Sequence, residues 1–329
     1  MTTNDEPTRG AAERPESKDR ASHVAARGAA PASPINAMVV TPFTTEGAID
    51  FDALRTIVDR LAAAGVGIYL GSYGTGEGHL LRPEELPDLY GVGVEAAAGR
   101  APVYAAAIGF TDTDRVIEQA LEAEGVGVDG VQIHPPRPGP IAIRPRRNEL
   151  ERFYEDVLSE VRGPVQLTNQ VVMSGYALPL DLMVHLVTTY DNVRALNTSD
   201  LNAGAAATVV QTLAPHVDVY TGIISQLVTT LSLGGAGALC YEADVAPALC
   251  LEVVQRYRAG DVDGLRAAFD RLLQLNAVLA KFMNPRSVKS AMRHIGLPAG
   301  HLRRPYLPLE QHEDAEIAKV LDDLGIAGW

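Results

Sequence analysis

Polar side chains that transfer protons or bind oxygen atoms come directly after the apolar stretches of this sequence. They are Tyr73, Thr75, His134, Arg137, Thr168, Asn169, Asn197, Ser199, Tyr241 and Glu242. Imidazole, phenol and carboxyl groups transfer protons, whereas amide, hydroxyl and guanidinium groups bind substrate oxygen atoms. The set therefore predicts a site for acid–base chemistry on a small molecule.

The apolar stretches alternate with helical patterns, which predicts an α/β fold built as a (β/α)8 TIM barrel. Their interiors are almost continuously apolar, as expected for parallel strands that helices cover from outside. The eight predicted strands span residues 35–43, 65–72, 101–109, 129–136, 163–170, 192–199, 217–223 and 235–243. Because active sites of such barrels lie where the strands end, the polar residues are expected to share one cavity.

Segments on both sides of the barrel have different patterns. Residues 1–34 contain almost no large apolar side chains, which predicts a disordered N-terminal tail. The barrel is predicted over 35–258, and a C-terminal helical extension over 259–329. Within the barrel, Asp50 is expected to cap the first helix, and Gly125 to end the helix after the third strand.

The chain is acidic, with a formal net charge of -13 and a sequence pI of about 5.1. A negative surface repels phosphate backbones, so we expect no nucleic-acid partner. Two cysteines, Cys240 and Cys250, are too few for a disulfide framework and fit a cytoplasmic location. No apolar stretch is long enough to span a bilayer, and no secretory signal is recognised, so no membrane association is expected.

Several segments together resemble the dihydrodipicolinate synthase / N-acetylneuraminate lyase superfamily. The segments are "VVTPF" (39–43), "YGTGEGHLLRPEE" (73–85), "PVQLTNQVVMSGYALP" (164–179), "GAGALCYEADVAP" (235–247) and "NPRSVKSAM" (284–292). Their order and spacing carry the resemblance, which covers about 35 to 325. The resemblance implies a barrel enzyme with a small-molecule substrate and a homotetrameric or homodimeric assembly.

The same resemblance implies class I aldolase chemistry, in which a strand 6 lysine forms a Schiff base with a 2-oxo acid. A strand 4 tyrosine shuttles protons, and a Gly-Thr-Thr-Gly-Glu loop holds the carboxylate. In this sequence Asn197 stands at the position of the lysine. Arg137 and Pro138 stand where the family has a pair of tyrosines after strand 4. Gly74 replaces the first loop threonine, and Met173 an arginine found after strand 5 in many synthases. A Schiff base requires a primary amine, so this departure concerns the reaction itself.

The lysines of the chain all lie outside the predicted barrel. They are Lys18, Lys281, Lys289 and Lys319. The first belongs to the predicted tail and the others to the helical extension, so none is expected at a strand end.

Some of the candidate residues also have structural explanations. His134, and more weakly His79, is either a general acid–base group or a hydrogen-bonded structural histidine. His185 is expected to be structural. We assign Glu242 to the site and expect Asp244 to cap the next helix, the alternative being that both carboxylates hold a divalent cation.

Arginines offer two ways to bind an anion. The run "RPRR" (144–147) is either an anion clamp or a solvated loop, and Arg137, nearer a strand end, is the better candidate. No compact His/Cys cluster is present, so no metal or other cofactor is expected.

We expect a lyase-like enzyme that acts on a small oxo or carboxylate substrate by general acid–base catalysis without a Schiff base. The step would be an elimination, hydration, cyclisation or retro-aldol-like reaction, in line with specialised metabolism. The catalytic residues are expected to be His134, Tyr73, Glu242 and Asn197. The substrate-binding residues are expected to be Thr75, Gly76, Arg137, Thr168, Asn169, Ser199 and Tyr241. The alternative is a non-catalytic paralogue that binds a ligand or a partner subunit, which a plugged pocket would favour.

Overall fold

Eight parallel strands form a closed barrel in the computed structural model, which describes residues 32–137 and 144–327. Each strand pairs with the next one along the chain, and β1 also pairs with β8. The strands are β1 (Ile35–Met38), β2 (Gly67–Leu70), β3 (Val103–Ile108), β4 (Gly130–Ile133), β5 (Val165–Asn169), β6 (Val193–Thr198), β7 (Asp218–Thr221) and β8 (Gly237–Cys240). The predicted (β/α)8 barrel is thereby confirmed, while residues 1–31 of the predicted tail lie outside the described residues.

Helices follow the strands and cover the barrel from outside. They are α1 (Phe51–Ala63), α2 (Leu86–Ala97), α3 (Thr113–Val126), α4 (Arg147–Glu160), α5 (Val171–Ser174), α6 (Leu180–Thr189), α7 (Ala203–Leu213), α8 (Leu227–Ser232), α9 (Glu242–Val245), α10 (Pro247–Arg258), α11 (Val262–Lys281), α12 (Arg286–His294) and α13 (Gln311–Asp323). The last three form the C-terminal helical extension. In the described ranges, no helix has the length and apolar character needed to cross a membrane.

Local capping rules explain where the first and third helices begin and end. Asp50 caps α1 as predicted, since its carboxylate accepts a hydrogen bond from the Ala53 N–H at 3.0 Å. The predicted end of α3 at Gly125 is wrong. The helix continues to Val126, and Gly127 adopts the left-handed conformation, with φ of 95°, that commonly ends a helix.

The interior of the barrel is filled by aromatic and amide side chains as well as aliphatic ones. Tyr69 of β2 stacks on Tyr104 of β3, with the ring centroids 4.4 Å apart. On the two strands that follow, the Gln132 amide of β4 donates a hydrogen bond to the Gln166 amide of β5. Hydrogen bonding between the two amides offsets much of the cost of burying them.

One inward-facing row lies above this layer, nearer the carboxyl ends of the strands. Side chains two residues apart on a strand face the same side. His134 and Thr168 therefore face inward like Gln132 and Gln166, and Asn197 pairs in register with Thr168. The barrel thus brings an imidazole, a hydroxyl and an amide from three neighbouring strands to its mouth.

The helical extension is attached to the barrel mouth by a buried ion pair. Lys289 of α12 donates hydrogen bonds to Glu77 Oε1 at 2.6 Å, to the Thr41 carbonyl at 2.7 Å and to the His301 carbonyl at 2.7 Å. Neither side chain of the pair has exposed surface. Burial lowers the pKa of Lys289 to about 8, although the Glu77 charge opposes that shift. The Arg303 N–H donates to Glu77 Oε2, so both carboxylate oxygens are satisfied.

Removing the buried amine should destabilise the fold strongly. We expect Lys289→Met to lower the free energy of unfolding by about 3–5 kcal/mol, because Glu77 is left as an uncompensated buried charge. Urea or thermal unfolding of the purified variant measures the change. Lys281→Met is the matched control, because Lys281 pairs with Glu316 where both side chains are about half exposed, and it should cost at most about 1 kcal/mol. Equal losses in the two variants would contradict the anchoring role of the buried pair.

Candidate active site

Asn197 presents an unpaired hydrogen-bond acceptor at the carboxyl end of β6. The side chain is completely buried. Its Nδ2 donates to Ser199 Oγ at 3.4 Å, but its Oδ1 has no hydrogen-bond partner among the described residues. Gly222 after β7 leaves the necessary space, since a Cβ there would lie 3.2 Å from Asn197 Oδ1 and 2.0 Å from Ser199 Oγ. A buried acceptor without a partner is costly, so Asn197 is suited to receive a donor from a ligand.

His134 lies in the same row as Asn197, with Thr168 of β5 between them, and is held as a neutral imidazole. Its Nδ1 is 3.3 Å from Thr168 Oγ1, and no hydrogen bond to its Nε2 is found within the described residues. Burial lowers the pKa of His134 to about 3, and the nearby charge of Arg137 adds to that shift. His134 is therefore uncharged at neutral pH and acts through hydrogen bonding in this conformation.

Two aromatic rings cover His134. The Tyr73 ring meets the imidazole edge-on with centroids 5.1 Å apart, and the Phe110 ring lies at 4.9 Å. The Tyr73 hydroxyl donates to the Gly109 carbonyl at 2.8 Å, and burial raises the pKa of this phenol. The guanidinium carbon of Arg137 is 4.4 Å from the Phe110 centroid. These three side chains, one from each of the loops after β2, β3 and β4, form a cover between His134 and solvent.

An open cavity of about 270 Å³ lies on the outer side of this cover. Its lining includes Tyr73, Phe110 and Arg137 together with His79 and Gln119. Arg137 is an exposed cation at this position and is suited to bind a carboxylate. The aromatic cover stands between this cavity and the buried row behind it.

The loop after β2 is held by internal hydrogen bonds. The Gly76 N–H donates to Ser72 Oγ at 3.0 Å, so this amide is already engaged. Thr75 is completely buried and accepts a hydrogen bond from Asn284 Nδ2 at 3.2 Å. Because Thr75 Oγ1 serves as an acceptor there, its own hydrogen remains available for a substrate oxygen. Of the two predicted binding groups, Thr75 is better placed than Gly76 to contact a ligand.

Asn169 supports the loop that follows β5. Its Oδ1 accepts a hydrogen bond from the Leu178 N–H at 3.0 Å, and its Nδ2 donates to Thr198 Oγ1 at 3.5 Å. Asn169 and Thr198 are also paired in register, one residue out of phase with Thr168 and Asn197. The structure therefore does not bring Asn169 into the inward-facing row.

Glu242 faces the helical extension. It is fully buried in α9, and its Oε1 accepts a hydrogen bond from Asn276 Nδ2 at 2.6 Å. The same amide donates to the Tyr241 hydroxyl at 3.0 Å, so Asn276 of α11 joins both predicted residues of the β8 segment. Burial raises the pKa of Glu242 to about 7. This carboxyl can therefore gain or lose a proton near neutral pH, although its contacts are with α11 and not with the row.

The prediction that Asp244 caps the helix after β8 is wrong. Asp244 lies within α9, and α10 begins at Pro247 with Ala246 as its N-cap. Neither carboxyl oxygen has a hydrogen-bond partner in the described parts of the chain, and burial raises the pKa well above its usual value. Residues 32–137 and 144–327 also contain no group of three His, Cys, Asp or Glu side chains arranged to hold a metal ion.

The other candidate histidines lie outside the row. His79 is exposed, with Nδ1 2.8 Å from the Tyr73 carbonyl and Nε2 2.9 Å from the Tyr306 hydroxyl. His185 is exposed on α6, where its Nδ1 lies 3.2 Å from Thr189 Oγ1. His185 thus interacts within its own helix, whereas His79 joins the loop after β2 to Tyr306 of the helical extension.

The arginines of the 144–147 run interact with acidic residues of the chain. Arg146 pairs with Glu149 at 3.3 Å, and Arg147 with Asp181 at 3.0 Å. The run thus leads into α4 and is partly neutralised there. Arg137 makes no ion pair within the described residues, so it is the better candidate for binding an anion.

Four residues near the site were not predicted from the sequence. They are Phe110, Gly222, Asn276 and Asn284. Phe110 and Gly222 follow strand ends, a position that could have drawn attention to them. Asn276 and Asn284 belong to the helical extension, and their contacts depend on how that extension folds back over the barrel.

Sequence comparison places the chain among known enzymes. The profile of the Dihydrodipicolinate synthetase family matches residues 32–324. The 4-hydroxy-tetrahydrodipicolinate synthase of Methanococcus maripaludis (strain C6) is 28% identical over 288 residues, covering 88% of this chain and 97% of that protein. The 4-hydroxy-tetrahydrodipicolinate synthase 1 of Halalkalibacterium halodurans is 29% identical over 284 residues, with coverages of 86% and 94%.

Solved structures share the same architecture. Dihydrodipicolinate synthase from Aquifex aeolicus has 25% identity and a TM-score of 0.82, covering 90% of this chain and 99% of that one. A prophage protein of the dihydrodipicolinic acid synthase family from E. coli K12, in complex with pyruvate, has 26% identity and the same TM-score of 0.82. Its coverages are also 90% and 99%. The family profile extends from the first strand to the last helix, and the chain belongs to the Dihydrodipicolinate synthetase family.

Proposed function

We propose that this chain is a lyase-type enzyme that acts on a small oxo or carboxylate compound without forming a Schiff base. Its relatives are named 4-hydroxy-tetrahydrodipicolinate synthases, which supports the general class. The reaction would be an elimination, hydration, cyclisation or retro-aldol-like step driven by acid–base transfer and hydrogen-bond polarisation.

The observation that carries this proposal is the amide of Asn197 in the inward row. An amide nitrogen is not nucleophilic enough to condense with a ketone, so Asn197 cannot supply an imine. It can accept and donate hydrogen bonds, and its buried Oδ1 is unpaired. Its position beside Thr168 and His134 suits it to polarise a substrate carbonyl or hydroxyl group.

The lysines in the described residues support the same conclusion. Lys281 pairs with Glu316, and Lys319 pairs with Asp323 on the surface of the helical extension. Lys289 donates three hydrogen bonds to protein oxygens, which holds it as a charged ammonium without a free electron pair. None of these amines is available for attack on a ketone in the barrel.

The proposed roles follow from position and protonation state. Asn197, Thr168 and Thr75 bind substrate oxygen atoms, and Arg137 attracts the anionic group. Neutral His134, separated from Asn197 by Thr168, is the titratable group of the row and serves as proton acceptor or hydrogen-bond donor. Tyr73 borders His134, and burial raises the pKa of its phenol, so it stays protonated at neutral pH and serves as a hydrogen-bond or proton donor.

A specific observation also favours the alternative of a non-catalytic paralogue. Tyr73 and Phe110 cover His134, as a plugged site would require. An unbiased metabolite screen with the purified chain separates the two functions. Conversion of a compound supports the enzyme, and binding without conversion supports the paralogue.

Borohydride trapping tests the absence of a Schiff base. We expect that treatment of the wild-type chain with pyruvate and borohydride attaches no three-carbon adduct to any barrel residue, because trapping requires an imine. Intact-mass measurement and peptide mapping provide the readout. A family member with the strand 6 lysine is the positive control.

Asn197→Lys is the companion variant. We expect this variant to trap pyruvate weakly at most. The substitution restores a primary amine at position 197, but the strand 4 tyrosine and the first loop threonine that the family resemblance implies are still missing. An adduct on the wild-type chain that maps to Lys281 or Lys289 would overturn the proposed mechanism.

The titration of Glu242 makes stability depend on pH. Its folded-state pKa of about 7 lies above its ordinary value of 4.5, so the folded chain binds more protons between these two values. Stability contributed by the protonated carboxyl is therefore lost as the pH rises through this window, and the loss is complete above it. We expect Glu242→Gln to gain on the order of 2 kcal/mol relative to wild type between pH 5 and pH 8.

Unfolding curves of both proteins at the two pH values measure this gain. Glu95→Gln is the control, because Glu95 forms an exposed ion pair with Arg55. Its difference from wild type should be nearly the same at both pH values. A Glu242→Gln difference that does not change with pH would show that Glu242 is ionised throughout.

A further inference from the structure

Phe110 contacts both the buried imidazole of His134 and the exposed guanidinium of Arg137. Its ring centroid lies 4.9 Å from the His134 ring centroid and 4.4 Å from the Arg137 guanidinium carbon. Tyr73 meets both Phe110 and His134 edge-on, with centroids 4.6 and 5.1 Å apart. One phenylalanine thus contacts every other side chain of the cover.

The backbone that carries Phe110 is pressed against His134 in an unfavourable conformation. Phe110 has a φ of 60°, in the left-handed region that bulky residues rarely adopt. Gly109 before it has a φ of 129°, and a Cβ there would lie 2.7 Å from His134 Cβ. A loop held in this way can adopt less strained conformations when its contacts are released.

Two polar side chains, Tyr73 and Arg137, contact the loop that carries Phe110. The Tyr73 hydroxyl donates to the Gly109 carbonyl at 2.8 Å. Arg137 rests on the Phe110 ring, with its guanidinium carbon 4.4 Å from the ring centroid, and makes no ion pair within the described residues. A carboxylate binds a guanidinium through two charge-assisted hydrogen bonds, which is a stronger interaction than an exposed cation–π contact.

We propose that Phe110 is a lid on His134, that Arg137 is its latch, and that a small carboxylate opens the lid by drawing Arg137 off the ring. This inference rests on the proposed function, because it assigns the anionic group of the substrate to Arg137. Opening exposes the unpaired polar atoms of His134 and Asn197 to the substrate. Closing removes the site from water, which strengthens hydrogen bonds to the reacting group.

Chemical modification of histidine measures the lid directly. Diethyl pyrocarbonate reacts with accessible neutral imidazoles, and peptide mapping reports each histidine of the full chain separately. In wild type we expect His134 to react at least tenfold more slowly than exposed His79 and His185. Phe110→Ala should raise the His134 rate at least tenfold, and Arg137→Ala should raise it several-fold.

Two further variants keep the test interpretable. Phe110→Gly removes the ring and also the strain of the left-handed backbone, because glycine adopts a positive φ without steric cost. This variant should therefore fold even where Phe110→Ala does not. We expect it to show the same increase in the modification rate of His134. Phe282→Ala is the matched control, because Phe282 also lies under a cation, with Lys281 Nζ 4.9 Å from its ring centroid. It should leave the His134 rate at the wild-type value.

Sodium acetate is the carboxylate probe. We expect acetate to raise the His134 rate in wild type, with no rise in sodium chloride of equal ionic strength. An unchanged His134 rate in folded Phe110→Gly would overturn the lid, and an unchanged rate in Arg137→Ala or in acetate would overturn the latch. These outcomes are independent of borohydride trapping, so failure of the lid and failure of the proposed function are distinguished.

Discussion

The buried ion pair between Lys289 and Glu77 fixes the barrel mouth, because it joins the loop after β2 to the helical extension. Glu77 adopts a left-handed backbone with φ of 52°, which a residue of its size keeps only when its surroundings compensate. The Lys289 ammonium and the Arg303 N–H supply that compensation by satisfying both carboxylate oxygens. Thr75, two residues earlier, then meets Asn284 of the extension. The position of the Thr75 hydroxyl, a proposed substrate-binding group, therefore depends on a helix far away in the sequence.

The inward-facing row of His134, Thr168 and Asn197 carries no charge, and the charged side chains lie around it. His134 is neutral, and Thr168 and Asn197 are uncharged, so the buried groups avoid the large cost of burying an ion without a partner. Arg137, which makes no ion pair within residues 32–137 and 144–327, lies against the aromatic cover, and the titrating acid Glu242 faces α11. A neutral row can polarise a substrate by hydrogen bonding, whereas proton transfer would require His134 to regain contact with solvent or with a charged ligand.

Sequence reasoning was most accurate where a physical rule acts within one element. Continuous apolar runs predicted all eight strands, and the polar residues at their ends were expected to share one cavity. The strand register brings three of them, His134, Thr168 and Asn197, into one row. It failed for Asp244, because a one-turn helix follows β8 before the long helix begins, and it missed Asn276, whose contact depends on the packing of α11. Contacts between distant segments leave no periodic signal in the chain, so they could not be predicted from local pattern.

The departures from the family resemblance at Gly74, Arg137 and Asn197 lie at or just beyond strand ends, where active sites of such barrels are built. The ion pair of Glu77 and Lys289 holds the loop after β2 through contacts that involve neither Asn197 nor His134, so replacement of those two groups leaves the anchor in place. Glycine at position 222 keeps this corner open, because a Cβ there would lie 3.2 Å from Asn197 Oδ1 and 2.0 Å from Ser199 Oγ. A lysine at position 197 would therefore meet no side chain of residue 222, but its amine would still lack the strand 4 tyrosine and the first loop threonine that the family resemblance implies. The mechanism proposed for this barrel thus depends on groups of several strands and not on position 197 alone.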